Sequence, residues 1–324
     1  MSFPRLRSPV SERPSPLAVD LESGLPPDVA GTVATVGTFD GIHLGHQDVL
    51  RRLAARAGEL GLRSVLVTFA GHPFELLRPE VAPLQLTPGR EKLEAIAPTG
   101  IDYVAVLPFT RALAALDADA FVDRVLLDRL RMRALFVGHD HGFGRNRTGD
   151  AAALQALGAE RGFAVDVIPP VTVAGGPTAS STTVRRAIAA GDLEAAAAVL
   201  GRPYSAAGHV VRGEARGRLL GYPTLNVALP EPRKLLPPEG VYAVRVQTPS
   251  GAFGGMLNLG GRPTFGDERL SLEAHLFDAS GDWYGAPVRV DFVRRLRDVQ
   301  KFDSVDALVA QLRRDEAAAR AALR

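Results

Sequence analysis

Apolar and polar positions along the chain fall into two regimes. The run 31–38, Gly-Thr-Val-Ala-Thr-Val-Gly-Thr, is β-branched and apolar and predicts a buried strand. After it, Val49, Leu50, Leu53, Ala57 and Leu60 recur at helical spacing and predict a helix from Leu44 to Leu60. Further strands are predicted at Arg63–Phe69, Tyr103–Leu107, Ala134–Val137 and Ala164–Ile168, with helices at Gly89–Ala97, Ala118–Leu130 and Ala151–Arg161. Strands alternating with helices in this way predict βαβ units on a parallel sheet. Ser180–Ser181 opens a helix over Thr183–Ala190, and an Ala-rich helix follows at Asp192–Leu200. Past Gly201-Arg202-Pro203 the pattern becomes short strands (HVVRG, YPTLNVAL, GVYAVRVQ, FGGMLNLG, LEAHLFD, VRVDFV) broken by turn signals, as in an antiparallel barrel. An amphipathic helix, Ser304–Leu323, closes the chain. The expected organisation is an α/β domain over residues 1–187, a helical linker over 188–204 and a β-barrel domain over 205–324.

Composition narrows the classes. At roughly 150 residues per domain, 324 residues predict two domains. A content of 46% hydrophobic and 23% charged residues supports two cores and excludes disorder as the main state. No run approaches the ~18 apolar residues of a membrane span. The absence of cysteine removes disulfides, thiolate metal sites and cysteine nucleophiles together. Residues 1–20 are rich in Pro and Arg and lack the apolar core of a secretory signal, so the expected location is cytoplasmic. The net charge is only +2, and three lysines stand against 35 arginines scattered among acids. Nucleic acid is therefore not an expected partner, although arginine recognition of phosphate stays open. The scarcity of lysine is also what a biased genome produces.

Two segments carry chemistry. After the first predicted strand come Gly37-Thr38-Phe39-Asp40-Gly41-Ile42-His43-Leu44-Gly45-His46. Glycines at 37, 41 and 45 let backbone approach a ligand at the C-terminal end of a parallel strand. His43 and His46 share one face of a helical turn, and the helix beginning there aims free N–H groups at the same place. Two imidazoles so placed can donate to a phosphate chain as charge moves onto a leaving group. The pair also fits surface decoration or half of a metal site, with His139 and His141 as available partners. In the second half, glycines 213, 217 and 221 bracket Arg216 and Arg218, and Tyr222-Pro223-Thr224-Leu225-Asn226 follows. On an extended strand Thr224 and Asn226 face one way, and a hydroxyl beside an amide can hold Mg²⁺ and a phosphate oxygen; an ordinary hairpin also fits. In Leu272-Glu273-Ala274-His275-Leu276 the polar pair shares a face, where Glu273 is a candidate general base or part of a solvated outer surface.

GTFDGIHLGH resembles the HxGH motif of the nucleotidyltransferase superfamily, and Ala179-Ser180-Ser181-Thr182-Thr183-Val184-Arg185 resembles the SSTxIR motif of bacterial FAD synthetases. Val137-Gly138-His139-Asp140-His141-Gly142-Phe143-Gly144, Thr68-Phe69 through His72-Pro73, and Leu86-Thr87 are similar to further segments of that family in the same order. GRLLGYPTLN and LEAHLFDASGDWYGAPVRVDFVRRLRDVQKF resemble the riboflavin kinase signatures. The chain thus resembles the bacterial bifunctional riboflavin kinase/FAD synthetases over about residues 31–190 and 202–315. That resemblance implies a Rossmann-like nucleotidyltransferase domain and a six-stranded antiparallel riboflavin kinase-like barrel with a C-terminal helix. It implies riboflavin, FMN and ATP as substrates and Mg²⁺ as cofactor; no obligatory protein partner follows from it. Catalytic roles fall on Glu273 for the kinase and on His43, His46 and Arg185 for adenylyl transfer. Nucleotide binding falls on Gly37, Phe39, Asp40, Gly41, Gly45, Asp140, Ser181, Thr182, Gly213, Gly217, Arg218, Gly221, Thr224 and Asn226, the last two also as metal ligands. Flavin binding falls on His72, Pro73 and Arg297. The chain departs from the family pattern at Ala70-Gly71, His141, Ala179 and Val299. The first three concern the adenylyl-transfer half, so a second reading keeps the kinase and gives that half another acceptor or nucleotide.

Overall fold

The computed structural model describes residues 16–138, 144, 149–172, 178–213, 216–261 and 270–324. The chain forms two compact units, one from the segments Met1–Pro83 and Lys92–Pro170, the other from Leu84–Glu91 and Val171–Arg324.

The first unit is a parallel sheet of β1 (Leu17–Ala18), β2 (Thr32–Val36), β3 (Arg63–Phe69), β4 (Tyr103–Leu107), β5 (Met132–Gly138) and β6 (Ala164–Ile168), in the order β1-β4-β3-β2-β5-β6. Its helices are α1 (Leu44–Glu59), α2 (Phe74–Leu77), α3 (Arg90–Ile96), α4 (Arg111–Ala115), α5 (Ala118–Phe121) and α6 (Ala151–Arg161). Neighbouring residues of the strands are buried on opposite faces. Val33, Leu66, Val104 and Phe136 pack with Leu50, Leu53 and Ala57 of α1. Ala34, Val67, Ala105 and Leu135 pack with Phe121, Leu126, Leu154 and Leu157. That is why these strands read as continuous apolar runs rather than alternations. Because β2 lies between β3 and β5, the direction of strand addition reverses at its C-terminal end. Open α/β sheets place ligands at that point.

The winding between Ala118 and Leu130 differs from the regular helix that periodicity predicts. α5 gives way to a π-helical stretch at Val122–Leu127, where the Asp128 N–H donates to the Asp123 carbonyl. Phe121, Val122, Val125, Leu126 and Leu130 are all buried, so packing against the sheet, not intrinsic period, sets the turn. Strand β1 was not predicted; two residues that add to the edge of β4 are too few to carry a period.

The second unit contains α7 (Ser181–Ala189), α8 (Leu193–Leu200), β7 (Tyr204–Val211), α9 (Arg216–Leu219), β8 (Leu225–Ala228), β9 (Gly240–Thr248), β10 (Gly251–Gly261), β11 (Leu270–Leu276), β12 (Pro287–Arg297) and α10 (Val305–Ala322). The six strands close an antiparallel barrel in the order β10-β11-β8-β7-β12-β9. Ser180, Asp192 and Ser304 cap α7, α8 and α10 by accepting from the backbone N–H three residues on. Tyr242, Val244, Leu257, Leu272, Val290 and Phe292 are fully buried in this unit. Ala319 of α10 packs on Ala243, Met256 and Phe277.

Residues 84–91 join this unit through a buried cation. Lys234 Nζ donates to the carbonyls of Leu86 (2.6 Å) and Ser205 (2.5 Å) and to the Glu91 carboxylate, and it sits 4.4 Å from the Tyr204 ring centre. Glu91 also accepts from the Ala207 N–H at 2.8 Å. Breaking a buried pair strands the partner charge, a cost of about 3–5 kcal/mol. Lys234→Met is accordingly expected to lower the unfolding free energy by that order, read as a lower denaturant midpoint at an unchanged m value. A midpoint within error of the parent protein would contradict it.

Candidate active sites

The turn from β2 into α1 sits at the reversal point of the sheet, and its backbone is strained. Phe39 (φ 43°) and Ile42 (φ 41°) occupy the left-handed region, with Gly41 (φ 87°) between them. For non-glycine residues such φ values are uncommon, and for a β-branched residue they are an outlier costing about 1–3 kcal/mol. Polar donors hold the turn: the Thr68 hydroxyl donates to the Thr38 carbonyl (3.0 Å), and the Gln47 amide donates to the Ile42 carbonyl (2.9 Å). The strain presents the start of α1 to the space beyond β2.

His43 is buried and caps α1, its Nδ1 accepting from the His46 backbone N–H at 3.3 Å. That bond places the ring proton of neutral His43 on Nε2. The His46 ring stacks on His43 with centroids 3.6 Å apart and planes at 22°, and it also meets the Phe39 ring at 4.6 Å. His46 Nδ1 is buried and without a hydrogen-bond partner among the described residues. Burial first, then the neighbouring His43 and Lys92, hold the His46 imidazole well below its usual 6.5. A neutral ring still donates one N–H, so the pair presents donors without two adjacent cations.

A pH dependence follows with a definite sign. Between the depressed value in the folded chain and 6.5 in the unfolded chain, the unfolded state binds more protons, so this group's contribution to stability falls as pH drops below 6.5. Ring-carbon NMR is expected to find His46 still neutral at pH 6.5. A His46 midpoint at or above 6.5 would contradict this electrostatic picture.

Asp40 is buried in the turn, and Gly37 and Gly45 flank it. His72 Nδ1 accepts from the Phe74 N–H (3.1 Å), and Pro73 is the residue that precedes α2 as its N-cap. Gly71 leaves room for Glu75, whose carboxylate a Cβ at Gly71 would meet at 2.7 Å. Asp140 lies outside the described residues, as do His139 and His141. In the second unit, Ser181 and Thr182 form the first turn of α7, and Arg185 Nε donates to the Leu84 carbonyl at 2.9 Å.

The barrel brings its predicted polar residues together through strand register. Glu273 on β11 pairs directly with Asn226 on β8 and, on its other side, with Asn258 on β10. Directly opposed residues project to the same face, so the three form one polar row across three strands. Flanking Leu272, Ala274, Leu257 and Leu259 are buried on the opposite face. Asn226 is buried and Glu273 half-buried. Thr224 lies two residues ahead, just before β8 begins.

Close packing explains two of the glycines. A Cβ at Gly213 would overlap the Asn226 amide, and one at Gly217 would overlap the Tyr222 carbonyl. The loop also closes on itself through the Tyr222 N–H to the Gly217 carbonyl (2.8 Å). Gly221 takes a left-handed φ of 79°, and Arg218 is exposed. Glu214 and Ala215 lie outside the described residues.

Sequence reasoning missed two supports. His275 Nδ1 donates to the Pro223 carbonyl at 2.8 Å and meets the Tyr222 ring edge-on, fixing the segment before Thr224 on the face that carries Glu273. Arg297 is held by Asp315 of α10 (2.7–3.1 Å) and by the Asp298 carbonyl (2.8 Å), a bond pattern that occupies its guanidinium within the second unit. A pairing with a residue eighteen positions away on a helix leaves no local signal in sequence.

These parts define a class: a two-unit transferase, with a nucleotidyltransferase-like parallel sheet in one unit and a closed flavokinase-type barrel in the other. A family model for FAD synthetase matches residues 25–183, and one for riboflavin kinase matches residues 200–323. The bifunctional riboflavin kinase/FMN adenylyltransferase of Pseudomonas fluorescens is 44% identical over 298 residues, 92% of this chain and 94% of that protein. Its counterpart from Escherichia coli (strain K12) is 41% identical over 295 residues, 90% of this chain and 92% of that protein. A crystal structure described as a macrolide-efflux protein from Streptococcus pneumoniae has the same fold, with TM-score 0.84 and 33% identity over 94% of this chain and 99% of that one. Among the described residues no helix is long and apolar enough to cross a membrane. The chain belongs to the bifunctional riboflavin kinase/FMN adenylyltransferase family.

Proposed function

We propose that the chain phosphorylates riboflavin to FMN in a barrel domain of residues 205–324 and adenylylates FMN to FAD in a domain of residues 1–187, with 188–204 as their linker. In the kinase step, Glu273 takes the proton of the riboflavin 5′-hydroxyl as that oxygen bonds to the γ-phosphorus of ATP and the bond to the β-phosphate oxygen breaks, releasing ADP. Asn226 opposite Glu273 supports this reading, because the register puts a neutral oxygen donor beside the base. Thr224 and Asn226 offer a hydroxyl and an amide oxygen, the hard donors that suit Mg²⁺, and these residues would hold the ion together with the nucleotide's phosphates. Bound there, Mg²⁺ would offset charge on the transferring phosphoryl group.

In the adenylyl step, a phosphate oxygen of FMN bonds to the α-phosphorus of ATP and pyrophosphate leaves. His43, through Nε2–H, and His46 donate to the phosphate chain as charge builds on the leaving group. The family motif adds Ser181, Thr182 and Arg185 to the phosphate-binding groups. No covalent enzyme intermediate is needed, since the FMN phosphate is the nucleophile.

The observation that carries the proposal is that family models for FAD synthetase and riboflavin kinase match residues 25–183 and 200–323 of one chain, the ranges that hold the His43–His46 turn and the Glu273 row. Two labelled nucleotides test it. γ-Labelled ATP with riboflavin is expected to label FMN, and α-labelled ATP with FMN is expected to label FAD with unlabelled pyrophosphate released. Unlabelled FMN in the first reaction removes the kinase; unlabelled FAD in the second removes the adenylyl step.

A further inference from the structure

Lys92 is a buried cation that the steps above do not use. It is 5% exposed and sits on α3, and its ammonium donates to the carbonyls of Phe69 (2.7 Å) and Thr38 (3.1 Å). Those carbonyls end β3 and precede the strained Phe39, so one side chain ties together the two strand ends that frame the His43–His46 turn. The Thr38 carbonyl thereby accepts from two side chains, Thr68 and Lys92, immediately before the left-handed residues. Strained conformations persist where their surroundings over-determine them, and here two of the determining bonds converge on one carbonyl.

Charge gives Lys92 a second effect. Burial pushes its pKa down, while the nearby Asp40 and Glu75 carboxylates push it up. Its positive charge offsets two carboxylates beside a turn that has to receive a polyphosphate, and the same charge helps keep His46 neutral. Uncompensated, Asp40 and Glu75 would repel the nucleotide.

Resting on the adenylyl-transfer reading, we propose that Lys92 is a positioning residue for that reaction: it fixes the strained Thr38–Ile42 turn and sets the charge around the His43–His46 pair. Lys92→Met removes both donors and charge, and Lys92→Gln keeps a donor without the charge. Displacing catalytic groups by about an ångström costs about 10²-fold, so Lys92→Met is expected to lower kcat for FAD formation by that order. The parent protein and Lys92→Met set the two limits. Lys92→Gln is expected to fall between the two.

The full chain supplies its own control, since riboflavin phosphorylation uses residues of the other unit and is expected to be unchanged. His46 provides a second readout: in Lys92→Gln, which keeps a donor to the turn, a raised midpoint reports lost charge rather than lost burial. Among the groups acting on it are His43 and Lys92, and Asp40 and Glu75 act on Lys92. Its midpoint is expected to rise in both variants as the neighbouring charge is lost. FAD formation within twofold of the parent in a folded Lys92→Met protein, or an unmoved His46 midpoint in either variant, would overturn the proposal. If Lys92→Met does not fold, Lys92→Gln carries both measurements, and a parent His46 that titrates at 6.5 overturns the electrostatic half directly. A parent protein that makes no FAD would instead overturn the adenylyl-transfer reading.

Discussion

Glu273→Gln is expected to lower riboflavin phosphorylation by about 10²–10⁴-fold, the range that a positioned general base contributes. The substitution keeps the shape of the side chain and removes its capacity to accept a proton. Glu273 is half-buried on β11 with Asn226 and Asn258 opposite it, and glutamine fits the same row without a cavity or a new charge. Stability should therefore hardly change, and the loss should appear in kcat. FAD formation from supplied FMN is expected to continue at the parent rate. A Glu273→Gln protein that phosphorylates riboflavin within tenfold of the parent would remove Glu273 from the mechanism.

His43→Asn and His46→Asn are expected to do the converse, lowering FAD formation by about 10²–10³-fold each, as when one preorganised donor is removed from a developing anion. Asparagine is the informative choice at position 43. It is among the best N-cap residues, so it can replace His43 Nδ1 as acceptor of the His46 N–H and keep the start of α1 intact. Nε2–H has no counterpart in it. At His46, the shorter amide gives up the stacked ring contact with His43. The two effects should combine to less than their product, since the rings touch and act as a unit. Retained FAD formation in His43→Asn with a normal helix content would contradict the assignment.

Much of this was legible in sequence because the relevant signals are local. The runs at Arg63–Phe69, Tyr103–Leu107 and Ala164–Ile168 are the observed strands residue for residue. The first two are largely buried on both faces. The third is an edge strand on which only Ile168 is buried, and its limits come from the helix α6 and Gly162-Phe163 before it and the two prolines after it. The cap residues Ser180, Asp192 and Ser304 announce α7, α8 and α10. The glycine-histidine turn was legible because close approach and left-handed backbone restrict residue choice. It still placed a phenylalanine and an isoleucine at positive φ, which no propensity predicts.

What sequence did not reveal depends on distant pairing. The row Asn226–Glu273–Asn258 joins residues of three strands, and only the register between them shows that Asn258 belongs to it. The hold of Asp315 on Arg297 and that of Lys234 on Glu91 and Leu86 span long stretches of chain. Two of the three lysines, Lys92 and Lys234, are buried with main-chain carbonyls as partners. Their rarity in an arginine-rich chain was the available signal. A compact ammonium fits between carbonyls where a planar guanidinium does not.

The most direct test of the central claim is a single incubation of the full chain with riboflavin, Mg²⁺ and excess ATP, with flavins separated by chromatography over time. FMN is expected to rise first and then convert to FAD, the order required if one chain carries both steps. FMN that accumulates without FAD would contradict the adenylyl-transfer half, and unchanged riboflavin in a protein that still converts supplied FMN to FAD would contradict the kinase half.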